Sequence, residues 1–130
     1  MAKFGKHSRQ QLSTCEYDLQ SLFNEVIKGF DCKVVEGYRR QKDQDLYYRD
    51  GKSRVKWPNG KHNKHPSRAV DVYPYPIDFK DMARFYYFAG YVKGVADSMG
   101  IKIRWGGDWN NNTQSKDERF LDLVHFELLD

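Results

Sequence analysis

Residues 69–76 read Ala-Val-Asp-Val-Tyr-Pro-Tyr-Pro. Ala69 to Tyr73 is a β-type run, and Pro74 and Pro76 close it because proline lacks the N–H that a central ladder needs. A strand with a defined end therefore lies mid-chain, and Asp71 rides on it. Helical patterns flank this strand. Leu19, Leu22, Phe23, Val26 and Ile27 recur at the three-and-four spacing of one buried face, predicting a helix capped by Ser13 or Thr14, running to about Lys28 and ended by Gly29. A longer one begins at Asp78 or Asp81 and carries Phe85, Phe88, Ala89, Val92 and Val95 to Met99, where Gly100 stops it.

Shorter signals fill the gaps. Lys33 to Val35 reads as a strand, Gln41 to Tyr48 as a weaker helix stopped by Asp50-Gly51, and 51–64 as a loop. Ile101 to Trp105 reads as a strand, Gly106-Gly107 as a turn, 110–112 as an Asn-rich loop and Val124 to Leu128 as a last strand. This order predicts an α+β fold with a small, mostly antiparallel sheet packed with helices. With 130 residues the chain has room for one core, so 1–130 is expected to be a single domain. Cys15, in the first predicted helix, and Cys32, at a predicted strand, are expected to be reduced packing residues, because no wider cysteine framework accompanies them. Phe85, Tyr86, Tyr87, Phe88 and Tyr91 are expected in the core.

Charge is uneven. Residues 1–70 carry 15 Lys and Arg against 8 Asp and Glu, whereas 71–130 carry 7 against 10. The basic half suits an anionic partner, either a cell envelope or nucleic acid. No apolar run is long enough for a secretory signal near the start or for a bilayer span elsewhere, so a soluble cytoplasmic chain without membrane insertion is expected.

Polar clusters fall where strands begin or end. His62 or His65, with Asp71 and His125, supplies the three donors that a catalytic zinc needs, leaving a fourth position for water. Asp122, three residues before His125, is placed to accept a proton, and Glu127 shares the face of His125 and could steady its second nitrogen. Trp105 and Trp109 are candidates to wall the cleft, and Asp108 either orients a ligand histidine or closes a turn by bonding its own backbone.

The stretches Glu36-Gly37-Tyr38-Arg39 with Gln44, Lys61-His62-Asn63 with Pro66-Ser67-Arg68-Ala69-Val70-Asp71-Val72, Trp105-Gly106-Gly107-Asp108-Trp109, and Asp122-Leu123-Val124-His125-Phe126-Glu127 share one resemblance. As a set, in this order, they resemble the zinc D-Ala-D-Ala carboxypeptidase and L-alanyl-D-glutamate endopeptidase family, in its bacteriophage endolysin form. The resemblance implies the hedgehog/DD-peptidase fold, one zinc per chain held by His62, Asp71 and His125, Asp122 as general base and acid, and Arg39 on the scissile carbonyl or its oxyanion. The commoner family pattern has a shorter interval than the eight residues between His62 and Asp71, but the phage-type form aligns His62 and leaves His65 outside the ligand set.

Aspartate rather than glutamate at 122 resembles the phage endopeptidases and implies internal cleavage of the peptidoglycan stem peptide. Two other readings stand beside it: a D,D-carboxypeptidase acting on stem termini, and a non-enzymatic basic domain that binds nucleic acid without metal. The endolysin reading implies a monomer without nucleic acid, held in the host cytoplasm until a separate pore-forming protein releases it to the wall or periplasm.

Overall fold

The computed structural model describes residues 2–130. In chain order its elements are α1 (Lys6–Leu12), α2 (Tyr17–Gly29), β1 (Cys32–Glu36), α3 (Gln41–Arg49), a 3-10 turn (Lys61–Asn63), β2 (Ala69–Pro74), α4 (Met82–Met99), β3 (Ile103–Trp105) and β4 (His125–Leu128). The strands form one sheet in the order β1-β2-β4-β3, every neighbouring pair antiparallel. The expected α+β class is the observed one.

Alternation along β2 and β4 divides this sheet into two unlike faces. Val70 and Val72 on β2 and Phe126 on β4 are fully buried in the core that also takes Leu19, Leu22, Phe23 and Val26 of α2 and Phe88, Val92 and Ala96 of α4. Phe126 sits at its centre, meeting Phe23 edge-on at 5.6 Å and Phe88 at 6.0 Å. Burying each such side chain contributes about 1.5–3 kcal/mol. Asp71, His125 and Glu127 take the opposite parity. Pro74 is the last residue of the interior strand β2, opposite Cys32, so the expected proline stop falls at the strand's end rather than beyond it.

β1 carries an irregularity that matters for that second face. Val34 pairs with Val72, but the next partner of β2, Asp71, pairs with Glu36. One extra residue has been inserted, which turns Glu36 to the side of Asp71.

α1 has no apolar stripe to announce it, and the sequence reading does not include it. Its polar side chains, with that of Thr14 just beyond its end, serve the backbone of β1 and the segment that follows. The Val34 N–H donates to the Ser8 hydroxyl (3.1 Å), His7 Nε2 to the Val35 carbonyl (3.2 Å), the Gly37 N–H to Gln11 Oε1 (3.2 Å) and the Tyr38 N–H to Thr14 Oγ1 (2.8 Å). A Cβ on Gly37 would overlap Thr14 Oγ1 and the Gln11 carbonyl, so only glycine permits this approach. Thr14 is thus spent on Tyr38, Ser13 ends α1, and Glu16 precedes the first residue of α2. Neither Ser13 nor Thr14 caps α2, and Cys15 lies in the connection, bridged to Ser67, rather than in a helix.

α4 follows its expected bounds. The Asp81 carboxylate accepts the Arg84 N–H at 3.3 Å, and Gly100 takes the left-handed conformation, φ 72°, that ends the helix. Phe85 and Phe88 are buried and Tyr86 and Tyr91 half-buried, but Tyr87 is 72% exposed because it falls on the solvent side of the helix. Both cysteines are free and buried. No helix among the described residues is long and apolar enough to cross a membrane.

Candidate metal centre and cleft

Strand register brings the first two donors together, since Asp71 lies directly opposite His125 in the β2–β4 pair. The third comes from the 3-10 turn. That turn is tied to the Glu36–Arg39 segment: the Arg39 N–H donates to the His62 carbonyl (2.8 Å), and Asn63 Nδ2 donates to the Arg39 carbonyl (3.2 Å) and Gln44 Oε1 (3.1 Å). His62 Nε2 then stands 3.1 Å from Asp71 Oδ1, and His125 Nδ1 stands 3.5 Å from the same oxygen. One donor atom from each residue lies within 4.8 Å of the others.

The outer nitrogens decide what the inner ones offer. His62 Nδ1 donates to the Gly37 carbonyl at 2.7 Å, and His125 Nε2 donates to Glu127 Oε1 at 2.8 Å, the contact expected of Glu127. With those protons placed outside, two imidazole lone pairs and a carboxylate converge on one point. Such a set could hold a metal ion. Donors about 2.0–2.1 Å from a tetrahedral ion stand roughly 3.3 Å apart, which the two shortest separations match.

Charge is strongly perturbed here. For Asp71, burial would raise the carboxyl's pKa, but His62 and His125 outweigh it and hold the group well below the usual carboxylate range. For His125, burial would favour the neutral ring, yet hydrogen bonds to Asp71 and Glu127 push its pKa up to about 9 in the metal-free protein. Glu127 is held low against its burial by His125 and by Lys61, 3.3 Å away.

Asp122 lies in the same cleft. Its backbone is fixed between strands, with its N–H donating to the Gly106 carbonyl (2.8 Å) and its carbonyl accepting the His125 N–H (3.1 Å). A Cβ on Gly106 would overlap the Asp122 carbonyl. The glycine of Trp-Gly-Gly-Asp thereby sets how closely Asp122 approaches. Burial, reinforced by the negative charge of Asp71, raises its carboxyl's pKa despite the opposing charges of His125, His62 and Arg39.

Arg39 is buried rather than a surface arginine. Nε donates to Glu36 Oε1 (2.7 Å), Nη1 to Gln44 Oε1 (3.1 Å) and Nη2 to Asp71 Oδ2 (3.5 Å), while the guanidinium lies 4.2 Å above the Tyr47 ring. The inserted residue in β1 supplies the Glu36 end of this network. Tyr47 is absent from the sequence reading, although it follows Gln44 by one helical turn and so shares its face.

The cleft has a volume of about 800 Å³. His65 stays outside, exposed and edge-on to Tyr38 at 5.0 Å. Trp109 does line it, tilted against His125 at 5.3 Å. Trp105 does not: it is 6% exposed, packs against Tyr86 at 5.5 Å, and belongs to the core because its parity on β3 faces the helices. Asp108 closes its own loop, accepting the N–H groups of Asn112 (3.1 Å) and Thr113 (2.8 Å). Tyr73, read from the sequence only as a strand end, and Lys61, read only as part of the Lys61-His62-Asn63 stretch, also line the cleft.

Known proteins agree with this architecture. Residues 1–129 match the family described as phage L-alanyl-D-glutamate peptidase. An L-alanyl-D-glutamate peptidase of Escherichia phage T5 is 31% identical over 89% of this chain and 88% of its own. Among solved structures, the L-Ala D-Glu endopeptidase ChiX of Serratia marcescens shares the fold, with a TM-score of 0.76 at 23% identity over 98% of this chain and 90% of its own. The chain belongs to the phage L-alanyl-D-glutamate peptidase family.

Proposed function

We propose that the chain is a single-domain, zinc-dependent peptidase that hydrolyses the L-alanyl-D-glutamate bond of peptidoglycan stem peptides. The observation that carries this reading is the convergence of His62 Nε2, Asp71 Oδ1 and His125 Nδ1 beside Asp122, in a member of a family described by that activity. His62, Asp71 and His125 would hold the metal, whose bound form supplies Lewis acidity and lowers the pKa of a water towards about 7.

Asp122 takes the proton from the attacking water and returns it to the departing amine. Its raised pKa suits both halves of that shuttle. Arg39 keeps one Nη1–H beyond its bond to Gln44, and this donor, held by Glu36 and Tyr47, meets the negative charge that grows on the scissile oxygen. Glu127 holds the ring of His125, and the Gly37 carbonyl holds that of His62.

Digestion of purified peptidoglycan, followed by mass spectrometry of the fragments, tests this. New N-terminal glutamyl residues are expected, with activity lost to a chelator and restored by zinc. Release of D-alanine in their place would assign the chain to carboxypeptidase chemistry.

A further inference from the structure

Two loops wall the cleft, one carrying Lys52 to Val55 and the other Asp117 to Phe120. Arg54 joins them. Its guanidinium carbon lies 4.9 Å from the centroid of the Phe120 ring, over that ring, in a cation–π contact. The side chain is exposed, and its N–H groups make no hydrogen bond and no ion pair among the described residues. The acidic side chains of the opposite wall are otherwise engaged: Asp117 accepts from Asn110 (3.3 Å) and Asn112 (2.7 Å), and Glu118 accepts the Asn110 N–H (3.2 Å). Arg39 and Lys61, the cations deeper in the cleft, already have carboxylate partners.

An arginine held over an aromatic ring at the cleft wall, with its N–H fork free of protein partners, suits a planar anion. The substrate proposed above brings one. A glutamyl residue has two carboxyl groups, and only one can continue the peptide. The other stays ionised, a few bonds from the scissile nitrogen.

We propose that Arg54 is a specificity-determining residue that binds this free carboxylate of the D-glutamyl residue through its fork while Phe120 holds the guanidinium plane. The inference rests on the L-alanyl-D-glutamate reading and deepens it. The carboxylate selects the peptide and orients the D-glutamyl side of the bond.

Two synthetic stem peptides that differ only in this group, one bearing the carboxylate and one its carboxamide, test the assignment with the zinc-loaded full chain. The wild type is expected to prefer the carboxylate by about tenfold in kcat/KM. In Arg54→Gln that preference falls to near one, carried by KM, and Arg54→Lys, which keeps the charge without the fork, lies between. Damage to the fold would slow both peptides alike and leave the preference intact, and an intact preference in Arg54→Gln overturns the proposal. So does a preference that collapses in Arg119→Gln or Lys52→Gln but not in Arg54→Gln. If the wild type cleaves neither peptide while chelator-sensitive release of another stem fragment persists, the reading of the bond itself fails, and this inference with it.

Discussion

The two faces of the sheet handle buried ionisable groups in opposite ways. On the helix side, Cys32 shares β1 with Val34, and burial pushes its thiol up to about 12, so the group stays neutral and acts as a small apolar residue. On the cleft side, Asp71 and His125 are hardly more exposed, yet each keeps its charge because the other stands opposite and Glu127, His62 and Arg39 surround them. Burial alone does not decide the ionisation state. Partners supplied by strand register do, and one face becomes stability while the other becomes chemistry.

Substitutions on each face should separate those two properties. The largest effect is expected for Asp122→Ala, with kcat reduced about 10²–10⁴-fold while zinc content and melting temperature are retained. Wall lysis at the wild-type rate by that variant would remove Asp122 from the mechanism. Next comes Phe126→Ala on the core face. Denaturant unfolding should show a loss of about 3–5 kcal/mol, equal with zinc and with chelator, and a loss that zinc abolishes would break the distinction between the faces. Glu127→Gln should weaken zinc binding about 10–100-fold in competition titrations against a chromophoric chelator, with the fold unchanged.

The smallest effect is one of pH. The pKa of His125 is raised from its ordinary 6.5 to about 9, so the metal-free protein binds more protons at this site folded than unfolded. That stabilisation is fully present below pH 6.5 and is lost as the pH rises through 9. Thermal melts in chelator should therefore drop across this window. The zinc-loaded protein, whose His125 Nδ1 carries no proton, should not show the drop, and proton release on zinc uptake should diminish as the pH approaches 9.

Much of this division was legible in the chain. The alternation through Ala69–Tyr73 and Val124–Leu128 places Asp71, His125 and Glu127 on one side and Val70, Val72 and Phe126 on the other, and both helices announce their apolar stripes. The parts that stayed hidden depend on contacts between distant segments. α1 is held because its Ser8 and Gln11 side chains, with Thr14 just beyond its end, meet β1 and the Gly37–Tyr38 backbone, not because it has a face of its own. The inserted residue that turns Glu36 towards Arg39 and Asp71 has no local signature, and the burial of Trp105 follows from the parity of a strand three residues long. Gly37 and Gly106 were visible as motif glycines. Only the structure gives their reasons, the Thr14 hydroxyl against one and the Asp122 carbonyl against the other.

The docking of α1 also bears on how the molecule behaves in a crowd. A bare outer strand invites a stray extended peptide to extend the ladder, the first step towards fibrils. Along β1 that invitation is withdrawn by hydroxyl and imidazole groups already bonded to its amide and carbonyl, and at the far margin β3 offers too short a stretch to template one. Dense populations of the protein should therefore remain dispersed.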